Sequence, residues 1–373
     1  MKPLDCKELV SRISFRRGLK SPLACGSSVN VEVILASEFA EVLPGLADDC
    51  TISVCWMDVS ARETAAEGAS GGHGHVEVVT CARDRDRLGI KLQVPHAAGT
   101  YRLQVRATAC TRPAYILPLE SDDVKCAQGP ISEVPNFLIA CYRHLAFPSC
   151  YPSCRLAPSS VSSSSGPQAL WVREEYGTCL GSHTWDSSVV LMRALAREEE
   201  AGTLGCERRR VALDLGAGVG IGGLWLAHWA GFQTCVLTDK EELVPLMRAN
   251  ITLNGPLPAE HRQEVRAQTL EWSRAEDTDG LLAQREMEGG EAIDLILASD
   301  VLYDLQAAAH LSAVLRRLAR PQQTPVYLAQ RLRADRQDLT ALMAAQPELW
   351  DTFSAELVFT EAGVAVYRMF VRD

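Results

Sequence analysis

The sequence predicts two units of different class. Residues 1–140 read as a β-rich, sandwich-like domain, and residues 170–373 as an α/β domain with a parallel sheet; a Ser/Pro-rich linker at 141–169 joins them. Three observations predict this. Period-two alternation fills the first part, and apolar strand-like runs alternating with helical stretches fill the second. Between them, residues 159–166 are serine-rich and flanked by Pro158 and Pro167, a composition that buries too little apolar surface to order itself. With 373 residues, 47% of them hydrophobic, the chain can build a sizeable core, and its length leans toward two domains.

The N-terminal strands are read from alternation. Val29-Asn30-Val31-Glu32-Val33-Ile34 and Thr51-Ile52-Ser53-Val54-Cys55-Trp56 put apolar residues on one face and polar residues on the other. Val76-Glu77-Val78-Val79, Ile90-Lys91-Leu92-Gln93-Val94 and Tyr101-Arg102-Leu103-Gln104-Val105 continue the pattern, with turn-rich pieces at 68–74 and 96–99 between them. Short antiparallel strands of this kind make a small sandwich or barrel. The region shows no catalytic constellation, so it reads as a docking or structural domain, with substrate docking as one role.

Charge and cysteine usage bound the partners. A formal net charge of −10 repels the phosphate backbone, so nucleic acid is not expected as a partner. The first 22 residues carry charges throughout and no apolar core, so no secretory signal is read there. No apolar run approaches the roughly 20 residues that span a bilayer, and no membrane partner is expected. The 13 cysteines follow no regular framework and read as free thiols of an intracellular, reducing location, cytoplasmic or nuclear. Cys150 and Cys154 have suitable spacing for a metal, but no second pair or histidine partner follows, so no metal is expected. The chain is expected to be a monomer.

In the second half, strands are expected at 211–215, 234–238, 265–270, 293–298, 325–330, around 357–359 and at 364–370. Helices are expected at 187–200, 243–253 and 306–319, with others in the remaining gaps. Asp239, Asn254 and Gly255 supply boundary residues.

The strongest chemical signal is Val211-Ala212-Leu213-Asp214-Leu215-Gly216-Ala217-Gly218-Val219-Gly220-Ile221-Gly222. A buried strand carries an acid near its end, then a glycine-rich turn, then a helix. Glycines let the backbone turn sharply and admit a ligand where a Cβ would stand. Read from the strand's end this is not the dinucleotide fingerprint, because the third glycine falls on Ile221; a register shifted to Gly218, Gly220 and Gly223 matches formally but starts two residues late. No Gly-Lys-Ser/Thr follows, so it is not a P-loop. A ligand with a nucleoside but no pyrophosphate fits better; the plainer alternative is a turn for packing.

Asp239 closes the next strand in Cys235-Val236-Leu237-Thr238-Asp239. At that spacing it can accept ribose hydroxyls; otherwise it caps the following helix. Trp272, in Leu270-Glu271-Trp272, can stack on adenine or belong to the core. Asp294-Leu295-Ile296-Leu297-Ala298-Ser299-Asp300-Val301-Leu302-Tyr303 brings Asp300 and Tyr303 to the end of strand four, beside the point where such sheets bind ligands. The alternative is a solvated loop acid and a core tyrosine. Gly181-Ser182-His183-Thr184-Trp185-Asp186-Ser187-Ser188 opens the preceding helix, with Asp186 or Thr184 as its cap.

Taken in order, these five segments resemble the seven-strand protein-lysine methyltransferases of methyltransferase family 16, over roughly residues 170–371. The resemblance implies a Rossmann-like seven-stranded sheet, S-adenosylmethionine as cofactor and a protein substrate. It implies that Trp185, Gly216, Ala217, Gly218, Asp239, Trp272 and Ser299 contact the cofactor. Asp214 joins them, standing where many members carry Glu. Asp300 and Tyr303 match the family's Asp-x-x-Tyr signature near the acceptor. The β-rich region lies outside the shared core, so substrate choice is not transferred. Three alternatives stay open on the residues: a small-molecule methyltransferase, a nucleic-acid methyltransferase, which the absence of prolines after Asp300 and the acidic balance oppose, and a methyltransferase-like binding module without activity.

Overall fold

The computed structural model describes, in the first half, residues 11–15, 20–36, 50–59, 77–80, 88–110, 116–117, 119–121, 124–128, 136–137, 140–146 and 169–175. In the second half it describes 179–206, 209–255, 264–287, 290, 292–302, 305–331, 347 and 351–373. The chain divides into two compact units, residues 1–145 with 173–178 and residues 146–172 with 179–373.

The second unit holds a seven-stranded sheet. Its strands are β1 (Val211–Leu215), β2 (Thr234–Asp239), β3 (Glu264–Thr269), β4 (Leu295–Ser299), β5 (Val326–Arg331), β6 (Phe353–Glu361) and β7 (Val364–Val371). Their spatial order is β3-β2-β1-β4-β5-β7-β6. The first five run parallel, and β7 lies antiparallel between β5 and β6. The order therefore reverses between β1 and β4, and at such a switch point the strands' carboxyl ends open a crevice. All residues of β1 and β5 are buried, as expected of strands covered on both faces.

Helices α1 (Asp186–Ala201), α2 (Ile221–His228), α3 (Val244–Leu253), α4 (Ala275–Met287) and α5 (Leu305–Leu318) follow the strands or precede them. Helix α1 buries Val189, Val190, Leu191, Leu195 and Ala196, the stripe read from sequence, and ends on Gly202 at φ +68°, whose N–H returns to Glu198 and Glu199 carbonyls. That left-handed closure suits glycine. Helix α2 is apolar on every side, and its residues 221–227 are all buried, so it is a core helix. A 3-10 turn over Glu241–Leu243 precedes α3, where Pro245 takes the first helical turn; proline lacks only an N–H that is orphaned there anyway. Asn254, read as a boundary, clasps Trp171 with a hydrogen bond in each direction.

One expectation is corrected here. Neither Asp186 nor Thr184 caps α1; the cap position is Trp185, whose side chain makes no capping bond to the helix. Asp186 is the first helical residue, and its fully buried carboxylate is taken by Arg331 at the end of β5. A guanidinium is a stronger partner for a buried carboxylate than a backbone N–H.

The first unit is built of mostly antiparallel strands in separate sheets, as its alternation predicted. One sheet orders Leu88–Gln93, Ser28–Ala36, Ser11–Phe15 and Ile116–Leu117. Another centres on Gly99–Cys110, paired with Cys50–Asp58, Leu119–Ser121 and Val124–Ala127. Val31, Val33, Ile90, Leu92, Val54, Trp56, Leu103 and Val105 are buried at the alternate positions. Strand Ala140–Ala146 lies where the sequence reads linker, because Glu120 and Ser121 supply it with an antiparallel partner. Residues 159–166, Cys150 and Cys154 lie outside the described residues. Among those described, no group of acids, histidines and cysteines is arranged to hold a metal, and no helix is long and apolar enough to cross a membrane.

Candidate active site

The turn after β1 is the hub of the site. Gly216 and Gly218 stand at φ +65° and +57°, conformations that cost an L residue about 1–2 kcal/mol. Space imposes glycine as strongly. A Cβ on Gly216 would lie 3.0 Å from Val301 Cγ1 and 3.1 Å from the Trp272 ring, and one on Gly218 would lie 2.9 Å from the Gly181 carbonyl oxygen. The turn thus touches the segments after β3 and β4 and the segment leading into α1.

Asp214 lies beneath this turn. It is 4% exposed, and its Oδ2 accepts the Gly223 N–H at 2.8 Å. A Cβ on Gly222 would come within 2.8 Å of the same oxygen. Burial raises the Asp214 carboxyl to about 7; the Gly223 hydrogen bond opposes the rise and the Asp239 charge adds to it. The side chain is turned toward the start of α2, so it sets the shape of the turn.

Asp239 ends β2, in register with Thr269 of β3. Its Oδ2 accepts the Gly218 N–H and its Oδ1 the Lys240 N–H, both at 2.8 Å. The Ala217 N–H is held by the Thr238 carbonyl at 3.0 Å. Burial pushes the Asp239 carboxyl upward, against those two backbone donors and Lys240. Each oxygen of a carboxylate has a second lone pair, so both remain able to accept hydroxyls. Lys240, not Asp239, takes the cap position of the following 3-10 turn.

Trp272 is half-buried after β3, packed on the core cluster that includes Val301 and Leu302. Trp185 is also half-buried; its Nε1 donates to the Leu180 carbonyl at 3.0 Å, and its ring lies 4.2 Å from that of His183. Ser299 ends β4, paired with Ala329 and half-buried. Asp300 follows at φ +54°, 6% exposed. Left-handed backbone at a buried non-glycine residue is strained and gathers at functional positions. Tyr303 lies outside the described residues.

Gly216, Gly218, Asp239 and Trp272 therefore meet at one sheet edge, with Ser299 and Asp300 one strand away. These residues fit S-adenosylmethionine: a carboxylate for ribose hydroxyls, an indole for a purine face, and a turn without side chains where a nucleoside approaches the backbone. Sequence reasoning missed Gln330 and Arg331. Gln330 bonds Asp300 and the Leu302 N–H, and Arg331 pairs with Asp186. The available signal was two polar residues closing the apolar strand Val326-Tyr327-Leu328-Ala329.

The model of the lysine methyltransferase family matches residues 164–344. A UPF0665 family protein, C23C4.06c, of Schizosaccharomyces pombe is 24% identical over 220 residues, 59% of this chain and 57% of its own. The protein-lysine N-methyltransferase EFM3 of Chaetomium thermophilum is 28% identical over 141 residues, 37% of this chain and 38% of its own. The protein N-lysine methyltransferase METTL21A of Xenopus tropicalis is 30% identical over 159 residues, 41% of this chain and 61% of its own. The chain thus spans between 38% and 61% of the length of these relatives. Residues 164–344 are thus similar to the lysine methyltransferase family.

Proposed function

We propose that the chain transfers a methyl group to a lysine side chain of a protein substrate. S-adenosylmethionine, when bound, supplies that methyl on a sulfonium sulfur. The observation that carries the reading is Asp300, a buried acid held in left-handed conformation one strand from the glycine turn. A carboxylate there favours an amine over a neutral hydroxyl as acceptor.

In this reading Gly216, Ala217 and Gly218 admit the cofactor to the backbone, Asp239 accepts its ribose hydroxyls, and Trp272 and Trp185 bear on its apolar faces. Asp214 acts through the turn that it holds, and Ser299 keeps a small side chain beside the cofactor. Asp300 accepts a hydrogen bond from the acceptor amine, which has given its proton to water, and Tyr303 walls the channel. Such alignment can contribute roughly 7–11 kcal/mol. We assign the β-rich unit to substrate docking and the protein, as a monomer, to the cytoplasm; the free thiols of Cys25, Cys55, Cys126, Cys179, Cys206 and Cys235 suit a reducing compartment.

The test is tritiated-methyl transfer from S-adenosylmethionine to a protein extract. Label should appear in material destroyed by protease and untouched by RNase. Asp300→Asn should lower transfer by at least about 100-fold while S-adenosylhomocysteine still binds by calorimetry. Equal loss of binding and transfer would make Asp300 a cofactor or folding residue instead.

A further inference from the structure

Strand β5 is apolar until its last two residues, Gln330 and Arg331, whose side chains point to opposite faces. Arg331 goes to Asp186 on one side. Gln330 goes to Asp300 on the other and is 3% exposed. Its Oε1 accepts the Leu302 N–H at 3.0 Å, and its Nε2 donates to Asp300 Oδ1 at 2.9 Å.

The orientation of this amide follows from its partners. A backbone N–H can only donate, so the oxygen end must face Leu302, which leaves the NH2 end for the carboxylate. The preceding residue completes the hold, because the Ala329 carbonyl accepts the Asp300 N–H at 2.8 Å. Two successive residues of β5 therefore fix the main chain and the carboxyl of one strained acid.

We propose that Gln330 is a positioning residue for methyl transfer, its amide bridging the Leu302 N–H and the Asp300 carboxylate and so aiming the acid that receives the acceptor amine. This rests on the role given to Asp300 above. The N–H occupies one lone pair of the carboxylate and so fixes its orientation, and the second anchor at Leu302 keeps the amide from turning away. Among the described residues, the charged groups that Gln330 meets are Asp300 beyond β4 and, on its own strand, Arg331, which pairs with Asp186 of α1.

Two variants of the full chain separate positioning from packing, measured by tritiated-methyl transfer to a protein extract from about pH 6 to 10. Gln330→Met keeps length and loses the amide's hydrogen bonds to Leu302, Asp300 and the Arg331 carbonyl. It should lower the rate by about 10–100-fold at every pH, with S-adenosylhomocysteine affinity within about threefold of wild type. Gln330→Glu can reproduce the bridge only while the new carboxyl keeps a proton to donate to Asp300. Burial and the neighbouring charge raise that proton's pKa by up to about 3–5 from the ordinary ~4.3. Its rate should therefore match wild type near pH 6 and fall away across about pH 7–9, as the two acids come to repel.

A Gln330→Met rate within about twofold of wild type overturns the proposal. So does loss of S-adenosylhomocysteine binding by that variant, which would make the residue part of the fold. A Gln330→Glu profile parallel to wild type, or no rate at any pH, overturns it as well. No label transfer by the wild-type chain would instead count against protein methylation itself.

Discussion

Adding one methyl group at Gly218 strikes two features at once. At φ +57° an L side chain costs about 1–2 kcal/mol. The new Cβ also falls 2.9 Å from the Gly181 carbonyl oxygen. A backbone atom cannot swing aside like a side-chain end, so either the turn or the segment before α1 must shift, at about 1–3 kcal/mol. Gly218→Ala should therefore lose about 2–5 kcal/mol of stability. In a domain of this size that lowers Tm by roughly 4–20 °C. The same shift moves the Gly218 N–H away from Asp239, to which it now donates at 2.8 Å. S-adenosylhomocysteine should bind at least about tenfold more weakly, equivalent to ~1.4 kcal/mol. Gly231→Ala is the control: its φ is +73°, and nothing lies within 4 Å of the added Cβ. It should lose only the conformational part, about 1–2 kcal/mol, and bind normally. Scanning calorimetry and titration calorimetry read both quantities. Equal losses of stability in the two variants, with unchanged affinity in both, would refute the contact between the turn and Gly181.

Other perturbations address acids and ion pairs. Asp214 is raised from 3.8 to about 7 by burial, so the folded protein keeps a proton that the unfolded chain releases. Its contribution is then full below about pH 4 and is lost as pH rises through about 7, a span worth up to ~4 kcal/mol. Asp214→Asn keeps an acceptor for the Gly223 N–H and removes the titration, so its stability relative to wild type in urea unfolding should grow from about pH 4 to 7; parallel curves would show that Asp214 does not titrate there. Arg331→Met takes the guanidinium away from the buried Asp186 carboxylate and should cost about 3–5 kcal/mol. Adding Asp186→Asn should recover much of that loss in denaturant midpoints, and a further additive loss would mean that the two side chains do not act as a pair.

The sheet and its hub were legible because their signals are local. Gly216, Gly218 and Asp214 fall within one short segment, Asp239 closes a strand that reads plainly as apolar, and Trp272 follows shortly after an alternating one. Strand ends drifted by a residue or a few because capping and pairing partners, not propensity, set them; β6 runs over Phe353–Glu361, where the sequence pattern showed only 357–359. The partner of Asp186 stands 145 residues away in the chain, so a short polar residue ahead of a helix reads as its cap. Gln330 was hidden for the same reason, since one amide at the end of a strand says nothing of an acid 30 residues earlier. In the first unit the missed strands are mostly two to five residues long, such as Leu119–Ser121 and Val124–Ala127. Segments so short carry no period of their own and take their form from the longer strand Gly99–Cys110 beside them.

The hairpin of β6 and β7 decides which backbone groups of this sheet remain available to other molecules. Without it, β5 would present a straight border of six consecutive buried residues, Val326–Arg331, the kind of surface on which strangers' strands add and precipitates grow. With it, the outer border becomes β6, where Glu356 is exposed and the register slips between Leu357 and Phe359. A charge and an irregular step make a poor template for another chain, so what this border offers to another strand is set by a few residues far in sequence from the glycine turn.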